Sequence, residues 1–212
     1  MTTPPLETSR AKRIKAATTR DHDNVNDLVM QARPFDSRER YAQFLQLQHA
    51  FHGAIDGLYT DAELNQRLPG LSELPRFEAV KRDLLDLDQA VPQKPTPAQV
   101  NGPFEALGWL YCSEGSNLGA AFLFKETQQL GLNETHGASH LAAHPGGRGL
   151  HWRQFIALLD SQEMDAEQEQ QAVQGAINAF DFYRAKVRSV LAPDAGPQAL
   201  GEPATLRTRT AP

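Results

Sequence analysis

The stretch ALGWLYCSEGSNLGAAFLFKETQQLGL has the leucines and aromatics of a helix, yet it carries Gly108, Gly115 and Gly119 inside. Each glycine costs about 1 kcal/mol relative to alanine in a helix interior, so three of them call for a reason. At about 100° per residue, Gly108, Tyr111, Gly115, Leu118, Gly119 and Phe122 fall on broadly one face. Three missing side chains there either admit a closely packed neighbouring helix or leave a groove in which a flat, bulky ligand meets bare backbone. Glycine together with Ser116 also permits a kink that frees backbone N–H groups. GSNLG lacks the lysine pattern of a phosphate loop, and no strand precedes it.

A second set of residues could act with this face. His22, in TTRDHDNVNDLVMQARPF, shares a helical stripe with Lys15, Val25 and Val29. It is either a hydrogen-bonded core residue or a ligand, and Asn26, one turn on, could fix its tautomer. Gln48 and His52 interrupt the apolar stripe of another helix, where buried polar groups need each other or water as partners. They form either a satisfied structural pair or one wall of a watered pocket. His136, His140 and His144, spaced by four, imitate a metal-binding face, but no HExxH pattern or cysteine partner accompanies them. A structural or surface role is the expectation, with zinc binding as the alternative. The N-terminal run of Arg10, Lys12, Arg13, Lys15 and Arg20 against Glu7 is either a solvated helix face or an anion-binding edge.

The elements that must position these residues are helices. Twenty-five leucines stand against twelve valines and isoleucines, and strands favour β-branched residues. Apolar stripes at three- and four-residue steps cover roughly 9–32, 37–59, 77–87, 152–159 and 173–190. Pro34, LPGLSELP, VPQKPTP and HPGGRG separate them. The pattern predicts one all-α domain of about seven or eight helices over residues 9–191, after a flexible N-terminus at 1–8. Residues 192–212 lack periodicity and hold four prolines, which predicts a disordered or loosely attached tail.

With 212 residues, 40% of them hydrophobic and 22% charged, the chain can bury a core without disulfides. A lone cysteine, Cys112, suggests a reducing compartment, and MTTPPLETSR has no apolar signal core. No apolar run reaches the ~18–20 residues of a membrane span; Ala106–Cys112 is among the longest. A net charge of −5 argues against general nucleic-acid binding. The expectation is a cytoplasmic protein.

Four blocks, HDNVNDLVMQARPF, FLQLQHAFHGAIDGLYTDAEL, GWLYCSEGSNLGAAFLFK and GASHLAAHPGGRGLHWRQF, make roughly residues 10–190 resemble the bacterial haem oxygenases that produce biliverdin. The resemblance implies an all-α bundle with haem b, both substrate and prosthetic group, between a proximal helix and a kinked distal helix. Residue by residue, His22 matches the proximal iron ligand, and Gly115, Ser116 and Gly119 match the distal segment that closes over bound oxygen. Lys15 and Tyr111 match groups near the haem propionates. Gln48 and His52 match residues of a distal water network. Asn26 stands where relatives often carry a carboxylate, which bears on the tuning of His22 rather than on ligation. The resemblance further implies cleavage at the α-meso carbon by O2, with electrons from a ferredoxin-type or flavin reductase, to biliverdin, carbon monoxide and ferrous iron. A haem-binding or trafficking protein without turnover would need only His22, the pocket and the propionate clamp.

Overall fold

Proline and glycine divide the chain into seven α-helices in a computed structural model that describes residues 9–191. The expected flexible segments at 1–8 and 192–212 lie outside the described residues. In order the helices are α1 (Arg10–Gln31), α2 (Arg38–Thr60), α3 (Ala62–Arg67), α4 (Phe77–Asp86), α5 (Pro103–Gln128), α6 (Arg148–Asp160) and α7 (Ala166–Val190). Among the described residues there is no strand, only isolated bridges at Asn133. None of these helices is long and apolar enough to cross a membrane.

Local chemistry sets the helix starts. Ser9, Ser37 and Asp61 cap α1, α2 and α3 by accepting an amide proton three residues on. Asp165 and Gln168 form a reciprocal capping box at α7, and Pro103 occupies the first turn of α5. Two features escaped the periodicity. Helix α3 is too short to show a stripe, and α6 starts at Arg148, inside HPGGRG, so that Gly149 lies in its first turn rather than in a connector.

Helix α7 is the common support: α1 and α5 each pack on it more extensively than on any other helix. At the α5–α7 crossing the two backbones touch. A methyl group on Gly108 would stand 2.0 Å from the Ala172 carbonyl, and one on Gly175 would stand 2.0 Å from the Glu105 carbonyl. Gly108 is therefore a packing glycine and leaves the groove to Gly115 and Gly119. Arg10 corrects the solvated-face expectation, since it is buried. It joins α1 to Glu169 of α7 at 2.7 Å and also donates to the carbonyls of Leu159 and Gln162. One core cluster gathers Phe51, Ile55, Leu107, Leu110, Phe155 and Ala176, and a second gathers Tyr41, Phe44, Leu45, Leu84 and Val187. Each large apolar side chain buried this way contributes about 1.5–3 kcal/mol.

Candidate active site

His22 projects from α1 with 69% of its side chain exposed. Its Nδ1 lies 3.2 Å from Asp23 Oδ1, and its ring meets Phe180 of α7 edge-on at 6.3 Å. The acceptor is thus Asp23, where the sequence pointed to Asn26. With Nδ1 engaged, Nε2 is left as the outward-facing nitrogen, the arrangement that suits a metal-ligating imidazole. Arg184 of α7 fastens this turn of α1 by reaching Asp21 at 2.5 Å and Asn24 at 2.9 Å.

The glycine segment of α5 presents bare backbone. Gly119 has nothing within 4 Å of where a Cβ would sit, and Leu118 and Phe122 beside it are 43% and 55% exposed. Gly115 faces Trp152, whose ring would stand 3.3 Å from an added methyl. Ser116 is exposed and donates its hydroxyl back to the Ser113 carbonyl at 2.7 Å, a bond that bends helices. Asp21, next to His22, is close enough to Cys112 of α5 to add to the rise that burial causes in its thiol pKa. The His22 turn of α1 therefore neighbours α5 above their shared support. An exposed imidazole on α1, together with exposed apolar side chains and uncovered glycine backbone on α5, fits a flat, apolar, iron-bearing ligand such as haem.

Lys15 lies two turns before His22 on α1, and Tyr111 lies one turn before Gly115 on α5. Lys15 is exposed, and its ammonium has no partner among the described residues. Tyr111 is half-buried against Trp152 at 5.4 Å, and burial, aided by Cys112 and Asp160, pushes its pKa up to about 12. It remains a hydroxyl donor at neutral pH. Asp160 also accepts the Ala11 amide at 3.1 Å, which ties Tyr111 to the N-terminal part of α1 that carries Lys15.

Behind α5 the interior is polar. Gln48 donates to the Tyr183 hydroxyl at 2.7 Å, so Gln48 and His52 do not partner each other. Tyr41 Oη, His49 Nε2, His52 Nδ1 and His140 Nε2 are buried without a protein partner. Such groups require ordered water. Burial pushes the His52 pKa well down, helped by His140 and Arg76, so His52 is neutral.

The histidine triplet is not brought together. His140 is buried against Asp83, His144 stacks on His151 at 4.8 Å, and His136 lies 3.7 Å from Asp86. No cluster of three or more metal-ligating side chains occurs among the described residues. Sequence reading missed Glu114, which is buried and accepts from the Tyr59 hydroxyl at 2.6 Å, His151 Nε2 at 2.7 Å and Asn117 Nδ2 at 3.2 Å. A carboxylate directly before Gly115 in so apolar a helix was the available signal. Phe180 and Trp152 left none, since both look like ordinary core aromatics in sequence.

Comparison with known proteins agrees with this geometry. The profile of the Heme oxygenase family matches residues 8–189. Heme oxygenase PigA of Pseudomonas aeruginosa is 41% identical over 177 residues, spanning 82% of this chain and 89% of the relative. The crystal structure of the heme oxygenase of Neisseria meningitidis with NO or CO bound superposes with a TM-score of 0.83 at 47% identity. It covers 91% of this chain and 98% of its own. The chain belongs to the heme oxygenase family.

Proposed function

We propose that His22 of α1 and the Gly115–Gly119 segment of α5 are the two faces between which this heme oxygenase holds its substrate, and that the ring is opened at the α-meso carbon. The enzyme degrades haem to biliverdin. Carbon monoxide and ferrous iron are the companion products on this reading. Haem supplies the redox-active iron and the conjugated ring that is cut. The protein supplies position, hydrogen bonds and the exclusion of competing reactions.

His22 would hold the haem iron through Nε2, with Asp23 at Nδ1 and Phe180 at the ring edge orienting the imidazole. Gly119 leaves O2 room against backbone where any side chain would intrude. Gln48, held by Tyr183, and neutral His52 order the water that carries protons toward that side. Ser116 keeps its hydroxyl on the Ser113 carbonyl. Lys15 and Tyr111 clamp the propionates and so choose the seating of a nearly symmetric ring. Even about 1.4 kcal/mol between two seatings gives a tenfold preference. On this reading electrons come from a ferredoxin-type or flavin reductase, and the reaction belongs to the cytoplasm, in keeping with the lone cysteine.

The observations that carry this reading are the open space at Gly119 of α5 and the exposed ring of His22 on α1. The test is haem-loaded protein under air with a reductant, followed by chromatography of the bilins. Loss of the Soret band with α-biliverdin is expected, and Lys15→Ala with Tyr111→Phe should give mixed isomers at similar haem affinity. Predominantly β or δ isomer from the wild type would overturn the clamp. A stable Soret band would mean a carrier.

A further inference from the structure

Arg148 is an arginine in an unfavourable place. It occupies the first turn of α6, where the helix dipole disfavours a cation. Among the described residues no carboxylate lies within ion-pair reach of it. Burial, and then the nearby Arg76, hold its pKa below the usual arginine range. Its donors go instead to two main-chain carbonyls, Asn117 of α5 at 2.9 Å and Leu141. A cation kept against dipole, burial and like charge is retained for what it binds.

What it binds is the middle of the glycine segment. Asn117 stands between Gly115 and Gly119, and its side chain donates to Glu114. Tyr59 of α2 and His151 of α6 hold Glu114 in turn. Ser113 and Asn117 thus each carry an additional donor on the carbonyl, one from Ser116 and one from Arg148. Helix carbonyls drawn outward in this way bend the helix. The protein-facing side of the segment is clamped from two helices, while the side with Leu118, Gly119 and Phe122 is bare.

We propose that Arg148 is a positioning residue for ring opening: its hydrogen bond to the Asn117 carbonyl holds the course of α5 that keeps the Gly119 backbone presented to the bound substrate. This rests on the reading of α5 as the oxygen-binding face. Arg148→Met keeps the aliphatic stem and removes every donor, whereas Arg148→Lys retains one charged donor.

Hydrogen exchange on the full chain without haem tests the clamp directly. Loss of a charge-assisted hydrogen bond should speed exchange of amides 113–121 about tenfold in R148M, with α1 unchanged. In the haem-loaded protein, the O2 dissociation rate should change by about tenfold in R148M and by about threefold or less in R148K. The axial nitrogen signal in electron paramagnetic resonance should stay as in the wild type. Gly119→Val separates the two ideas. If it alters O2 dissociation while R148M alters neither exchange nor dissociation, the role of Arg148 is overturned and the face assignment stands. If neither variant alters O2 dissociation, the face assignment fails and the proposal with it. Arg148→Gln, with a single neutral amide donor, replaces R148M in both measurements if the methionine variant is insoluble.

Discussion

Asp83 and His140 form a fully buried pair, with the imidazole Nδ1 2.6 Å from a carboxylate that also accepts the amides of Ser139 and His140. Burial lowers the His140 pKa more than Asp83 raises it. Asp83 stays below the usual carboxylate range because those hydrogen bonds outweigh its own burial. The pair is a neutral imidazole donating to a carboxylate, and its Nε2, like His52 Nδ1, is buried without a protein partner.

Stability should therefore fall on mild acidification. In the unfolded chain both imidazoles take up protons as pH drops below about 6.5, whereas in the fold they resist charging. Depressed folded pKa values mean stability that is present above pH ~6.5 and lost progressively below it. The expected slope is up to about 1.4 kcal/mol per pH unit for each imidazole. Urea unfolding between pH 5 and 8 measures it, and His52→Gln should reduce the slope. Identical slopes in wild type and variant would remove His52 from the account.

His22→Ala should abolish axial nitrogen ligation while the fold stays within about 0.5 kcal/mol of the wild type, because the side chain is mostly exposed. Electron paramagnetic resonance of the haem complex, with thermal unfolding of the haem-free protein, checks both halves. Unchanged nitrogen ligation would assign the iron to another histidine.

Gly119→Ala should separate stability from activity. Its methyl group meets nothing in the protein, and alanine favours a helix by about 1 kcal/mol, so the haem-free variant should be as stable or more so. Gly119→Val should block turnover far more than haem binding. Normal steady-state bilin production by the valine variant would sink the role given to this residue.

Gly108→Ala is the contrasting case. A methyl 2.0 Å from the Ala172 carbonyl must push α5 away from α7, and overpacking of that kind costs about 1–3 kcal/mol or more. A clear drop in the unfolding midpoint is expected before any haem is added. No drop would mean that the crossing is looser than the structure places it.

The long helices and their breaks were legible because leucine-rich stripes and proline-bearing connectors are local signals. The three glycines on one stripe were legible as a set, yet they divide by partner. Gly108 answers to the backbone of α7, Gly115 to Trp152, and Gly119 to no protein atom. Spacing cannot make that division, since it depends on which helix lies opposite. Similarly, Asp23 replaced Asn26 beside His22 because the ring turned toward its sequence neighbour. Arg10 looked solvated among its basic neighbours, and its acceptors lie more than a hundred residues away in sequence.

Because α1 and α5 are both referred to α7, the clearance between them is a difference of two independently fixed offsets. One offset is set by the glycine-to-carbonyl contact at Gly108 and the other by the salt links of Arg10 and Arg184. The clearance can then be widened or narrowed from underneath, by exchanging small residues of α7 such as Ala172 or Gly175, without touching His22 or the Gly115–Gly119 segment. Variation along that third helix is a route by which relatives with the same facing residues could come to accept porphyrins of different bulk.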